Sequence, residues 1–201
     1  MNADVIIVGG FHEIIELCEE CGLNVVGIID NILQGAYYGV PIIGKDADAE
    51  RLFHQYGGCK VIITPDSPKI RVKLVDLYKI IGYKFATVIS PLAHISKYTE
   101  IGEGTVIQAG VNVSSATKIG CFCKLNSYCN VMHDNVISDY TTIAPNTVLL
   151  GRVAIGKASY IGANSTILPN ISIGAGATVG AGAVVTHDVE ADVVVKGIPA
   201  K

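Results

Sequence analysis

From Ile95 to Val185 an aliphatic residue recurs at every sixth position, sixteen times without an insertion. The residue after it is often glycine (Gly102, Gly120, Gly156, Gly162, Gly174), and the fourth residue after it is small or β-branched (Thr105, Thr117, Ser159, Ala177). Neither a helix nor a β-meander repeats every six residues. The period fits a β-solenoid in which each hexad supplies one short strand and a turn. Three hexads close a triangular coil, so positions three hexads apart stack at roughly 4.8 Å, the spacing of neighbouring strands. The ladder then fills the prism, and the small residues are expected to allow sharp corners. Such a prism is only a scaffold, and any chemistry must come from departures from the repeat.

The first ninety residues follow a different rule. Asp4 to Val8 (DVIIV) is an apolar strand followed by Gly9-Gly10 and a helical pattern through Ile14, Ile15, Leu17 and Cys18 that stops at Gly22. Asn24 to Asp30 (NVVGIID) is a second strand that ends in an acid. Strand, glycine turn, helix, strand and acid make a half-Rossmann arrangement. A strand Val61 to Thr64, an amphipathic helix Pro68 to Ile81 and a strand Phe85 to Ile89 complete a small parallel sheet, which Ser90-Pro91 terminates. The expected division is an α/β unit over 1–90 and a solenoid over 91–201. Gly9-Gly10-Phe11-His12-Glu13 lacks the three-glycine spacing of a dinucleotide fingerprint, yet one phosphate still fits near the helix start. Asp30 and Asn31 follow the second strand, where ligands of open parallel sheets bind, and can reach a ribose or a base; Asp30 can equally cap a turn.

With 201 residues, half of them apolar, the chain can hold both units, and a net charge of -3 gives no reason to expect nucleic acid. Six cysteines are present, but Cys123 and Cys129 occupy small-residue positions of their hexads, where a thiol acts as a small apolar group, and no disulfide framework is expected. Cys18-Glu19-Glu20-Cys21 has the CxxC spacing without a second pair or a nearby histidine, which argues against metal or redox work. The start Met1-Asn2-Ala3-Asp4 runs directly into a strand, and no apolar run is long enough to span a bilayer, so a cytoplasmic location is expected.

The most polar break in the array is Met132-His133-Asp134-Asn135. His133 stands two places after the ladder residue Val131, where its side chain should face outward. Asp134 is adjacent, Asn126 is seven residues earlier, and Gly151 stacks one coil away at the same corner. A carboxylate holds imidazole in one tautomer and raises its basicity, as a general base near neutral pH requires. A glycine amide nearby can donate to a developing oxyanion. His12, His54, His94, His133 and His187 form no HxxxH or HxxxxH pair, so no metal site is expected.

Five segments carry a family resemblance: Gly9 to His12, the IIDN segment ending in Asn31, GVPIIG from Gly39 to Gly44, Asn126 with His133-Asp134, and GIPAK from Gly197 to Lys201. With them the whole chain resembles the sugar O-/N-acyltransferases of the sialic acid O-acetyltransferase type, most closely the bacterial nucleotide-amino-sugar N-acetyltransferases of glycan synthesis. The resemblance implies a left-handed parallel β-helix, acetyl-CoA as co-substrate and a homotrimer with active sites between subunits. It makes His133 the general base, Asp134 its orienting partner and Asn126 a sugar contact. Gly151 becomes the oxyanion donor, Ala163 and Ala181 line the pantetheine groove, and Gly10, His12, Asp30 and Asn31 hold the nucleotide. Where the family often has a second histidine near the thioester carbonyl, this chain has Thr142, whose hydroxyl can donate but carries no charge. The loop also departs from the family's glycine-histidine-glycine ending, placing Glu13 where it would repel a phosphate.

The reading is acetyl transfer from acetyl-CoA to the amine of a nucleotide-linked sugar, with UDP as the expected carrier, by direct attack without an acyl-enzyme. Acetylation of a sialic acid or other sugar hydroxyl, and a non-catalytic binding scaffold, are the alternatives.

Overall fold

The computed structural model describes residues 3–201, and the Met1-Asn2 start lies outside the described residues. The chain divides into two compact units between Val88 and Ile89. In the first, β1 (Asp4–Val8), α1 (His12–Glu20) and β2 (Asn24–Ile29) are followed by a hairpin of β3 (Ala36–Tyr37) and β4 (Val40–Gly44). Then come α2 (Ala49–Tyr56), β5 (Lys60–Ile63) and α3 (Pro68–Ile81). The sheet order is β3-β4-β2-β1-β5, parallel except for the β3–β4 pair. Val5 to Val8 are buried on both faces, which explains why β1 reads as unbroken aliphatics rather than as an alternation. Ser67 caps α3 by accepting from Ile70 N, Pro68 opens its first turn, and Gly82 at φ 108° ends it in the left-handed region.

One expected strand is absent. Instead of a strand from Phe85 to Ile89, Phe85 makes a single parallel bridge to Val61, and Val88–Ile89 is the first rung of a solenoid sheet. The hairpin and α2 were not expected either.

The second unit is a left-handed parallel β-helix of three sheets, with two-residue strands for rungs. Asn112 pairs with Asn130 and Asn130 with Val148, so each rung stacks on the one eighteen residues away, as the period demands. The ladder is enclosed from Ile107 to Val185. Each such side chain contributes about 1.5–3 kcal/mol of burial, which makes the prism's interior its main source of stability.

The corners differ from the expectation. The sharp bend falls on the third residue after the ladder position, where Phe122, Tyr128, Asp134, Tyr140 and Arg152 all have φ between 55° and 61°. Left-handed backbone costs a non-glycine residue about 1–2 kcal/mol. Coil-to-coil backbone pairing on both sides of each bend, such as Arg152 N to His133 O, imposes it whatever the side chain. The small residue one place later points inward instead. Thr141, Ser159 and Ser165 are fully buried there and bond backbone carbonyls with their hydroxyls.

Candidate active site

The rung Asn130–Val131 leads into a bend at Asp134, and the bend throws two adjacent side chains together on the outside of the prism. His133 Nδ1 lies 2.7 Å from Asp134 Oδ2, and both side chains are half exposed. Aspartate is among the few non-glycine residues that tolerate φ 59° readily. The corner's backbone is held from both neighbouring coils: Asp134 N donates to Ser115 O and Arg152 N to His133 O, each at 3.0 Å. With Nδ1–H donated to the carboxylate, Nε2 keeps the lone pair that a general base uses. Gly151 lies directly against the imidazole. A Cβ added there would stand 2.7 Å from His133 Cε1 and 2.8 Å from Nε2, so no other residue leaves the ring where it is.

The remaining solenoid residues singled out in the sequence are elsewhere. Asn126, Ala163 and Ala181 lie on the edge marked by the bends at Tyr128, Asn164 and Gly182, not on the edge of Asp134 and Arg152. One hexad separates the two edges, roughly 20 Å of extended chain at about 3.3 Å per residue. Asn126 is therefore no companion of His133 within one chain, although only seven residues precede it. Thr142, expected as a thioester contact, has no exposed surface: it sits in a rung between Lys124 and Tyr160 and cannot donate to an incoming carbonyl as it stands.

In the first unit, cavities of about 250, 180 and 310 Å³ surround Asp30 at the carboxyl ends of β1, β2 and β5, where open parallel sheets bind ligands. Gly9, at φ 87°, makes the turn, and Thr64 Oγ1 donates to Val8 O at 3.0 Å beside it. The Asp30 carboxylate accepts from Gly10 N (2.8 Å), Ile32 N (2.8 Å) and Leu33 N (2.9 Å). Burial pushes its pKa up, but those three amides outweigh it and hold the carboxyl below its usual value. Asp30 thus builds the loop first, and the Gly10 amide already has an acceptor.

Asn31 exchanges bonds with Asp46, giving through Nδ2 (2.6 Å) and accepting from Asp46 N (3.1 Å), and Tyr78 donates to the same carboxylate at 2.8 Å. His12 stacks on Tyr38 with ring centroids 5.2 Å apart and lies 3.4 Å from Tyr37 Oη. The sequence did not single out Asp46, Tyr37 or Tyr38. Their signal was faint, since they come from a hairpin and a short turn with no periodic pattern.

A larger cavity of about 640 Å³ opens at the amino ends of β1 and β5, lined by Asp4, Tyr56, Cys59 and Lys60. That is the wrong end of a parallel sheet for a nucleotide. Burial, then Cys21 and Glu19, push the Cys18 thiol up to about 12, and burial takes Cys129 to about 12, so neither supplies a thiolate near neutral pH. Among the described residues no three His, Cys, Asp or Glu side chains converge, and no helix is long and apolar enough to cross a membrane.

Because the loop depends on Asp30, Asp30→Asn is expected to lower the melting temperature at pH 7 by a few degrees, since an amide NH2 must then face backbone donors. A carboxyl with a depressed folded pKa stabilises fully above its unfolded value of about 3.9 and loses that contribution as the pH falls through the folded one. The variant's stability should therefore fall less steeply below about pH 4. An unchanged melting temperature at pH 7 would show that the carboxylate does not organise the loop.

Residues 152–187 match the bacterial transferase hexapeptide (six repeats) family. Over 95 residues the chain is 39% identical to the GDP-perosamine N-acetyltransferase of Escherichia coli O157:H7, a match covering 47% of this chain and 43% of that relative. The aligned stretch is thus less than half of the curated relative. Among solved structures, a histidine-to-alanine mutant of the GDP-perosamine N-acetyltransferase from Caulobacter crescentus, in complex with CoA and GDP-perosamine, matches with a TM-score of 0.93 and 31% identity. That match covers 100% of this chain and 96% of the other. The acetyltransferase domain of PglB from Neisseria gonorrhoeae, in complex with acetyl coenzyme A, matches with a TM-score of 0.93 and 27% identity, covering 100% and 99%. Aligned over its whole length with the Caulobacter structure at 31% identity, and carrying the hexapeptide transferase repeat, the chain belongs to the hexapeptide-repeat acyltransferase family.

Proposed function

We propose that the protein transfers acetyl from acetyl-CoA to the amine of a GDP-linked aminodeoxy sugar, with His133 as general base. The observation that carries this is the imidazole paired at 2.7 Å to Asp134 and laid against Gly151 on an exposed corner. The sugar amine attacks the thioester carbonyl, forming the C–N bond. His133 Nε2 takes the amine's proton, the Gly151 amide donates to the oxyanion, and the C–S bond breaks as CoA leaves with a proton. Asp134 holds the ring and offsets the charge it acquires. In the first unit the loop built by Asp30, with His12 and Asn31 at its rim, would take the nucleotide diphosphate. Guanosine is favoured over the uridine expected from the sequence, because the E. coli and Caulobacter relatives are both named for a GDP sugar.

The division of site residues between two edges supports a homotrimer. The His133 edge of one subunit is completed when the edge carrying Ala163 and Ala181 of the next lies against it. Two defective variants, His133→Ala and Ala163→Trp, should then regain activity when unfolded and refolded together, because mixed interfaces pair an intact edge with an intact edge. No recovery, with light scattering showing monomers, would sink the shared site. The reaction itself is tested by following thiol release from acetyl-CoA with GDP-perosamine and with a UDP-4-amino sugar. A kcat/KM at least about tenfold higher for the GDP sugar is expected, since a site built to pair with one base leaves its hydrogen-bonding groups unpaired with another. Thiol release with neither sugar would overturn the reading.

A further inference from the structure

We propose that Asn135 is a positioning residue for acetyl transfer, whose buried amide fixes the peptide ahead of His133 to the coil that carries Gly151. The inference rests on the proposed role of His133. Asn135 occupies the inward position four residues beyond the ladder, and it is the only amide in the array at that position, where other hexads carry Thr, Ser, Cys, Ala or a branched aliphatic. The side chain is fully buried. Its Nδ2 donates to Met132 O at 2.8 Å, across the bend that holds His133 and Asp134, and its Oδ1 accepts from Val153 N at 2.6 Å. Val153 lies two residues beyond Gly151. Met132 O takes a second buried bond, from Thr117 Oγ1 of the coil below at 3.1 Å.

The peptide preceding the imidazole is therefore tied to three successive coils. The same amide sets where the ring leaves the backbone and how far Gly151 stands above it. A site that works by placing Nε2 within reach of the amine and the oxyanion donor at once is sensitive to about 1 Å of drift. A hydroxyl at this position can also donate and accept, as Thr105 does in bonding Gly120 O at 2.8 Å and accepting from Cys123 N at 3.0 Å, but only at Asn135 does the link tie down the peptide that leads into the imidazole.

Asn135→Val tests the proposal, because the array already accommodates valine at this position in Val111 and Val153. Expected is a kcat, counted per acetyl-CoA site titrated by calorimetry, about 10–50-fold below wild type, with both KM values within about threefold. Asn135→Thr, able to donate and accept in place, should recover most of it. Thr141→Val is the control. It removes a fully buried hydroxyl from the equivalent position on an edge that carries no site residue, where Thr141 Oγ1 bonds Ser138 O at 2.7 Å. It should cost comparable melting temperature and leave kcat within about twofold. A kcat per site within twofold of wild type for Asn135→Val, or an equal loss in Thr141→Val, would reduce Asn135 to a structural residue. A crystal structure of Asn135→Val separates this inference from the proposed reaction. A His133 ring shifted by more than about 0.5 Å upholds the positioning even if the substrate has been misidentified, and an unmoved ring overturns it.

Discussion

Replacing His133 with alanine is expected to lower kcat by roughly 10²–10⁴, the range over which a positioned general base acts, while the oligomer and its affinity for acetyl-CoA persist. The side chain fills neither the ladder nor an inward corner position and is half exposed, so the fold has little need of it. Its removal leaves Asp134 in an exposed left-handed bend that backbone pairing from Ser115 and Arg152 maintains independently. The loss should therefore appear in turnover, not in folding or binding. Asp134→Asn should cost less, because the imidazole remains and asparagine tolerates the same backbone, but the ring loses the charge that selects its tautomer. The decisive measurement is turnover at saturating acetyl-CoA with an amine substrate verified by product mass. His133→Ala activity within about threefold of wild type would remove His133 as base and leave substrate positioning to account for the rate.

The solenoid could be read from the sequence because each ladder position answers to one requirement, filling a prism of fixed width. Ile107 through Val185 met it without an insertion. What decides the corners is not local. Phe122, Tyr128 and Arg152 take left-handed backbone against their own preference because the coils on either side are already paired, and no propensity reports that. The same geometry misleads about proximity. In a coil of three hexads, neighbours in space are eighteen residues apart, as His133 and Gly151 are, whereas a seven-residue separation carries Asn126 to the previous edge. In the first unit, β1, α1, β2 and α3 showed through apolar runs and end signals. The β3–β4 hairpin did not, because Tyr38, at φ 47°, stands where a two-residue turn normally shows Asn or Gly. Asp30 was visible as an acid at the end of a strand, but its first task, accepting three loop amides, depends on a backbone path that the residue types alone do not define.

Gly151→Ala is expected to lower kcat by about 10–100-fold with little change in melting temperature. The added methyl group would lie 2.7 Å from His133 Cε1 and 2.8 Å from Nε2, well inside contact distance, so one of the two must move. The backbone at Gly151 is the stiffer partner: its carbonyl accepts from Asn170 N at 3.1 Å and it sits between paired rungs. The imidazole is half exposed and can turn about its two side-chain bonds, so the ring will swing outward at small conformational cost and the prism will keep its register. A displacement of about 1 Å is enough to take Nε2 out of line with the amine it must deprotonate, which sets the size of the loss. The methyl group also narrows the approach of the thioester oxygen to the Gly151 amide, so KM for acetyl-CoA should rise modestly alongside. A double variant with His133→Ala discriminates the two effects. If Gly151 acts only by seating the imidazole, the methyl group adds no further loss once the ring is gone. If its amide also serves the oxyanion, the double variant falls below His133→Ala alone. Full activity in the single Gly151→Ala variant would mean that the imidazole position seen against Gly151 is not the one used in catalysis.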